Sequence, residues 1–234
     1  MIKIENEQLA KFLMFKLTKN ENEFTEEELS KVDEIVLDTV DIEGNYNEIN
    51  LDIIKCFSGA EELIFRNIFI EEKDLLNLIE LSNLNSVYFE KCEFENEEII
   101  SKLNVSKIEL INCDISDYSF LYSMENLESL SVLNGQVSLD KLNNLQNLKY
   151  LQISCSNISE INSLNLPNLE EIHIGNSNTE DLSILKNLNN LKQLEIDENQ
   201  YNNNKEIVNK LNAKGVAVFG ENGITFGNGG VANA

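Results

Sequence analysis

The side chains in this 234-residue chain that could do chemistry are few in kind. Four cysteines (Cys56, Cys92, Cys113 and Cys155) and one histidine, His173, are the soft ligands and potential nucleophiles. A structural zinc site needs four such ligands, usually with a closely spaced pair; no two of these cysteines form a C-x-x-C, and one imidazole cannot complete the set. A thiol nucleophile needs a positioned base beside it. Cys92 and Cys113 fall at positions that read as buried, while His173 falls in a surface column. Carboxylates are plentiful, but among 41 acidic residues pairs arise by number alone. The glycines of FGENGITFGNGG lack the lysine and the strand–loop–helix context of a phosphate-binding loop. The sequence therefore predicts no catalytic residues, no metal ligands and no cofactor.

The elements that must position side chains are clearer. Nine segments carry an apolar pair two residues apart: Ile35/Leu37, Leu63/Phe65, Val87/Phe89, Ile108/Leu110, Leu130/Val132, Leu151/Ile153, Ile172/Ile174, Leu194/Ile196 and Val216/Val218. Their first members are 28, 24, 21, 22, 21, 21, 22 and 22 residues apart. Three residues before most pairs stands another apolar residue, as at Leu84, Val105, Leu127, Leu148, Leu169 and Leu191. The pattern is L-x-x-L-x-L-x-x-(N/C/S)-x-I, the signature of a leucine-rich repeat. Alternation puts each pair on one face of a short strand, which cannot bury that face alone. Stacking parallel strands at about 4.8 Å lets them share an apolar spine. The reading is an α/β fold: a right-handed leucine-rich-repeat solenoid with a parallel sheet on its concave face and short helical or 3₁₀ turns on its convex face. The longer second repeat leaves room for a helix over EEKDLLNLIELSN, burying Leu75, Leu76, Leu78, Ile79 and Leu81.

The ninth motif column, where such arrays often carry an asparagine ladder, reads Val40, Ile68, Cys92, Cys113, Gly135, Ser156, Ser177 and Asn199. Cys92 and Cys113 thus stand in adjacent repeats, close enough to cross-link, though two reduced core thiols are the plainer expectation. Residues within and beside each inward pair point the other way, onto the concave face. Read down the array they include Tyr88, Glu109, Ile111, Leu133, Tyr150, Gln152 and His173, with Ala217 following Glu195. Apolar and aromatic side chains exposed on a sheet and rimmed by charge are candidate contacts for a protein partner. Ordinary cross-strand packing is the competing account.

Caps should close an open stack. Residues 1–31 predict a helical N-terminal cap, with Leu9, Phe12, Leu13 and Leu17 inward on a first helix and Thr25 and Glu28 spaced as a capping box on a second. Repeats follow over 32–199. Residues 200–234 hold a last helix stopped by Gly215, the final repeat strand, and a hairpin around Glu221, Asn222 and Gly223.

Two connecting segments, ISDYSFLYSMENLESL and TEDLSILKNLNNLKQL, resemble the internalin-type bacterial repeat, with Asp117, Leu121 and Leu127 matching in one and Asp181, Leu185 and Leu191 in the other. FTEEELSKVDEIVLD is similar to the helical cap of that family. The resemblance implies a bacterial protein that binds a protein on the concave sheet; familiar members do so as secreted or surface-anchored proteins. This sequence shows no leader, immunoglobulin-like module or sorting signal, so a cytoplasmic location is expected instead.

A formal charge of −23 repels phosphate backbones and anionic membranes. No nucleic acid, no membrane and a protein partner, possibly basic, are the expectation, for a chain read as a monomer. The leading function is a non-catalytic protein-interaction module. An immunity or inhibitor protein that neutralises a basic toxin or nuclease is a second reading, and an adhesin with a trimmed leader a third.

Overall fold

A computed structural model describes residues 1–39, 51–154, 164–177, 181–220 and 223–226. The chain forms two compact units, Met1–Phe120 and Leu121–Ala234.

The first unit opens with β1 (Ile2–Lys3), α1 (Glu7–Lys16), β2 (Glu23–Phe24) and α2 (Glu26–Leu29). Asn6 caps α1 by accepting from the Leu9 amide at 2.8 Å. Thr25 and Glu28 close a full capping box on α2. Leu9, Ala10 and Leu13 are buried on α1, whereas Phe12 and Leu17 are only half-buried. Then come β3 (Glu34–Asp38), the 3₁₀ turn Leu51–Cys56, β4 (Glu62–Arg66), β5 (Phe69–Ile70), α3 (Glu72–Ile79), β6 (Ser86–Glu90), β7 (Glu93–Phe94), the 3₁₀ turn Glu97–Lys102 and β8 (Lys107–Ile111). β3, β4, β6 and β8 are parallel neighbours in that order. Their register stacks Ile35, Leu63, Val87 and Ile108 in one inward ladder and Leu37, Phe65, Phe89 and Leu110 in another. All eight are essentially inaccessible. Phe65 stacks on Phe89 at 5.5 Å, and Phe94 meets Phe89 edge-on at 5.1 Å, so this spine is partly aromatic. Gly59 permits a close approach: a Cβ there would lie 2.1 Å from the Ser30 carbonyl oxygen.

α3 corrects the expected buried face. Leu75, Leu78 and Leu81 are buried, but Leu76 and Ile79 are 44% and 36% exposed. One stripe of a two-turn helix reaches the core; positions one residue off that stripe rotate outward.

The second unit contains β9 (Ser129–Leu133), α4 (Leu139–Leu142), β10 (Tyr150–Ser154), β11 (Glu171–His173), the 3₁₀ turn Leu182–Asn187, β12 (Gln193–Glu195), α5 (Glu198–Asn203), α6 (Lys205–Ala213) and β13 (Ala217–Phe219). The five strands run parallel in sequence order. Leu130, Leu151, Ile172 and Leu194 form one buried ladder. The connecting segment of the fourth repeat strand is started by Asp181, whose carboxylate accepts from the Ser183 amide at 2.8 Å; Asp117 and Ser119 repeat the device in the first unit at the same distance. Gly215, at φ +90°, ends α6 in the left-handed region that a Cβ disfavours.

The last strand departs from the expected register. Leu194 pairs with Val218, not Val216, and Glu195 lies beside Phe219, not Ala217. Two helices precede β13, and its far end is held by a turn in which Gly220 donates to Ile224 O at 2.8 Å and Phe226 donates to Val218 O at 2.8 Å. A slip of two residues preserves which face each side chain takes, so Val218 stays buried. Glu221 and Asn222, the expected centre of that turn, lie outside the described residues.

Backbone groups in the turns are satisfied in ways the ninth column only partly foretold. Val40 and Ser156 lie outside the described residues. Cys92 Sγ donates to Phe65 O at 3.5 Å and Cys113 Sγ to Phe89 O at 3.4 Å, each reaching the preceding repeat. Asn199 is exposed on α5; the buried amide is its neighbour Gln200, which donates to Ile174 O at 3.0 Å. The Asp197–Gln200 capping box fixes that inward orientation. A real asparagine ladder stands elsewhere, just before the first leucine of the motif. Asn83 donates to Ser58 O at 2.9 Å in the first unit; in the second, Asn147, Asn168 and Asn190 donate to Glu125, Gln146 and Pro167 carbonyls at 3.0, 2.9 and 2.6 Å.

Candidate functional site

Strand alternation decides which side chains can meet a partner. With one face committed to the spine, the residues between and beside the inward ladders point outward. Tyr88, Glu109 and Ile111 take that position in the first unit, and Leu133, Tyr150, Gln152 and His173 in the second. All seven are half-buried. The apolar members are therefore partly covered by their neighbours in the sheet.

In the first unit the outward residues organise around Glu90. Arg66 lies directly across from it on β4, and its Nε is 3.0 Å from Glu90 Oε2. Tyr88, two residues earlier on the same strand, donates its hydroxyl to that oxygen at 3.1 Å. The Arg66 guanidinium also stands 5.5 Å from the centre of the Tyr88 ring, in cation–π range. Burial, and then the Glu90 carboxylate, push the Tyr88 phenol above its ordinary range. Nearby, Lys107 reaches Glu109 at 2.8 Å and Ser86 donates to Glu62 at 3.3 Å. Arg66, Glu90 and Lys107 complete a cluster from which only Tyr88, Glu109 and Ile111 had been singled out.

In the second unit they organise around His173. Its Nε2 is 2.6 Å from Glu171 Oε1, two residues back on β11; its Nδ1 is 2.8 Å from Glu195 Oε2, directly across on β12. An imidazole with one proton donates to one of these carboxylates; only the imidazolium donates to both. The ring is flanked by Tyr150 at 5.3 Å and by Phe219 at 6.0 Å, edge-on. Tyr150 OH and Ser131 Oγ both donate to Gln152 Oε1, at 3.0 and 3.1 Å. The sequence singles out Tyr150, Gln152 and His173 as contacts, while Glu171, Glu195, Ser131 and Phe219 fall in the same outward columns without being set beside them. Glu171 and Glu195 were visible as E-x-H on one strand and as the next member of the His173 column. Phe219 was hidden by the register slip.

His173 sits against two carboxylates. Among the described residues no group of three histidine, cysteine or acidic side chains is arranged to hold a metal. No helix among them is long and apolar enough to cross a membrane.

No protein-family model matches the chain, and no curated protein matches it in sequence. Solved structures do. An internalin from Listeria monocytogenes matches at 18% identity and TM-score 0.52, over 92% of this chain and 88% of that one. An internalin C2 from the same species matches at 16% identity and TM-score 0.55, over 98% and 90%. The TLR13–ssRNA13 complex matches at 16% identity and TM-score 0.53, covering 83% of this chain but only 33% of that one. At these identities the likeness establishes fold: an internalin-type leucine-rich-repeat solenoid, as its repeat spacing and connecting segments imply.

Proposed function

We propose, on the premise of that fold, that the chain is a non-catalytic protein-binding module whose partner contacts the outward face of the parallel strands. The observation that carries this is the composition of that face in both units. Tyr88 in one donates to Glu90 and lies against the Arg66 guanidinium, and Tyr150 and Phe219 in the other flank the His173 ring. Ordered aromatic and charged groups on a rigid sheet lose little entropy on binding and suit a protein surface.

Charge narrows the partner. A net charge of −23 attracts a basic protein and steers its approach, and it opposes phosphate backbones. RNA in the TLR13 complex belongs to that protein. An inhibitor that occupies a basic toxin or nuclease is the sharper form of this reading, favoured by the same charge. A cytoplasmic site of action belongs to it as well.

Affinity purification from the native cell identifies the partner. Tyr88→Ala with Ile111→Ala, and separately Leu133→Ala with Tyr150→Ala, then test each unit's face by titration calorimetry. We expect a loss of at least tenfold in affinity from one or both pairs, with unchanged circular dichroism. Two folded variants that bind like the parent would refute the outward face as the contact surface. Association that slows steeply with added salt is expected for a basic partner; a salt-independent rate rules it out.

A further inference from the structure

We propose that Cys92 and Cys113 are an oxidisable dithiol that closes to a disulfide between adjacent repeats when the chain meets a low-molecular-weight disulfide. Residues on either side fix their register. Glu90 pairs with Ile111 where β6 and β8 end. Glu93 forms a parallel bridge to Asp114, and the Asp114 amide donates to Cys92 O at 3.0 Å. The two cysteines thus stand opposite one another at one strand spacing, about 4.8 Å, within the roughly 4.4–6.8 Å between α-carbons that a disulfide spans. Their side chains point the same way. Cys92 Sγ donates to Phe65 O and Glu90 O, both at 3.5 Å, and Cys113 Sγ donates to Phe89 O at 3.4 Å and Ile111 O at 3.7 Å.

The pair is asymmetric, which assigns the roles. Cys113 is 9% exposed and Cys92 is not exposed at all. Contact with the Cys92 thiol lowers the Cys113 pKa, while contact with Cys113, and then burial, hold the Cys92 proton in place. Cys113 is therefore the attacking thiolate. Its sulfur bonds to one sulfur of the small disulfide, whose S–S bond breaks and whose other half leaves as a thiolate that takes up the Cys113 proton. Cys92 then gives up its proton, its sulfur attacks Cys113 Sγ, and the second small thiol leaves. The protein loses two hydrogens and the oxidant gains both. The closed form trades weak S–H···O bonds for a covalent tie across the spine of the first unit.

The test uses the full chain carrying Cys56→Ser and Cys155→Ser, incubated natively with oxidised glutathione, then read by intact mass, peptide mapping and thermal unfolding. We expect a loss of two hydrogens, no retained glutathione, a 92–113 linkage that reductant opens, and a higher thermal midpoint. In the same background Cys92→Ser should trap glutathione on Cys113, whereas Cys113→Ser should leave Cys92 unmodified. Thiols that stay unreacted in the folded chain, persistent glutathione adducts on the pair, or a lower midpoint after oxidation would each overturn the proposal; the reverse trapping pattern overturns the assigned roles. If the serine background fails to fold, the parent chain oxidised and mapped the same way reports the linkage.

Discussion

Glu90 and His173 each centre a cluster on the outward side of their strands, Glu90 just after its inward pair and His173 within it. Each touches the residue two places back on its own strand and the residue directly across on the adjoining strand. The polarity is reversed. Glu90 is one acid that accepts from two donors, Tyr88 and Arg66, and the corner is electrically balanced. His173 is one imidazole between two acids, so at least one negative charge goes uncompensated. The same pattern of contacts thus produces a self-satisfied cluster in one unit and an acid-rich one in the other. Half-buried charge that is balanced internally favours the folded chain; charge left in excess is available to a partner.

The spines behind these corners differ too, and the largest test lies there. Phe89 sits behind the first corner, stacked on Phe65 and met edge-on by Phe94, whereas the residues behind His173 are aliphatic. Phe89→Ala should cost about 3–5 kcal/mol in urea unfolding, and Ile172→Val only about 0.5–1.5 kcal/mol. Comparable losses would mean that the aromatic spine contributes nothing particular to the first unit.

The corners themselves give a smaller effect of informative sign. Glu90→Gln strands Arg66 and weakens the Tyr88 bond; after discounting for exposure, a loss of roughly 1 kcal/mol is expected. Glu195→Gln leaves His173 with Glu171 and removes one of two like charges, so stability should stay within about 0.5 kcal/mol of the parent. Equal losses from both would erase the proposed contrast. Next in size is Lys91, the residue after Glu90, held at φ +52° where Asn67, Asn112, Asn134 and Asn176 adopt similar angles after other strands. Lys91→Asn should stabilise by about 0.5 kcal/mol, because asparagine tolerates that region better than lysine. A neutral or negative change in denaturation midpoint would count against it.

The smallest effect is a change of slope. The Thr25 backbone N–H, and then Lys19, hold the Glu28 carboxyl down at about 2. A carboxyl depressed on folding contributes stability above its unfolded value, near 4.3, and that contribution fades as pH falls through the folded value. Glu28→Gln should therefore flatten acid destabilisation of the first unit between about pH 4.3 and 2. An unchanged acid limb would show that the capping box carries no linkage.

Much of this architecture was legible because strand parity is a strict code. Ile35 to Leu194 fell on the inward face at the expected places, and Thr25 with Glu28 announced a helix start from spacing alone. The asparagines at 83, 147, 168 and 190 are equally periodic, each standing just before the first leucine of its repeat. Other features depended on contacts that no period encodes. Gln200 displaced Asn199 because the Asp197 cap rotates α5 by one position. Phe219 reached the His173 cluster because the terminal turn, and not the repeat length, sets the last register. Aligning the inward pairs already sets Arg66 opposite Glu90 and His173 opposite Glu195, but no period encodes which of those side chains bond.

That two-residue slip at β13 also marks where the repeats stop being interchangeable. Elsewhere successive strands are spaced by 21 or 22 residues through most of the chain, so a duplicated unit inserted between two such strands would meet matching neighbours on both sides. The final strand is instead held at its far end by its own terminal turn and stands with Leu194 opposite Val218. Repeats of matching length are thus interchangeable neighbours within the run of 21- and 22-residue intervals, while β13 takes its place from the turn that follows it.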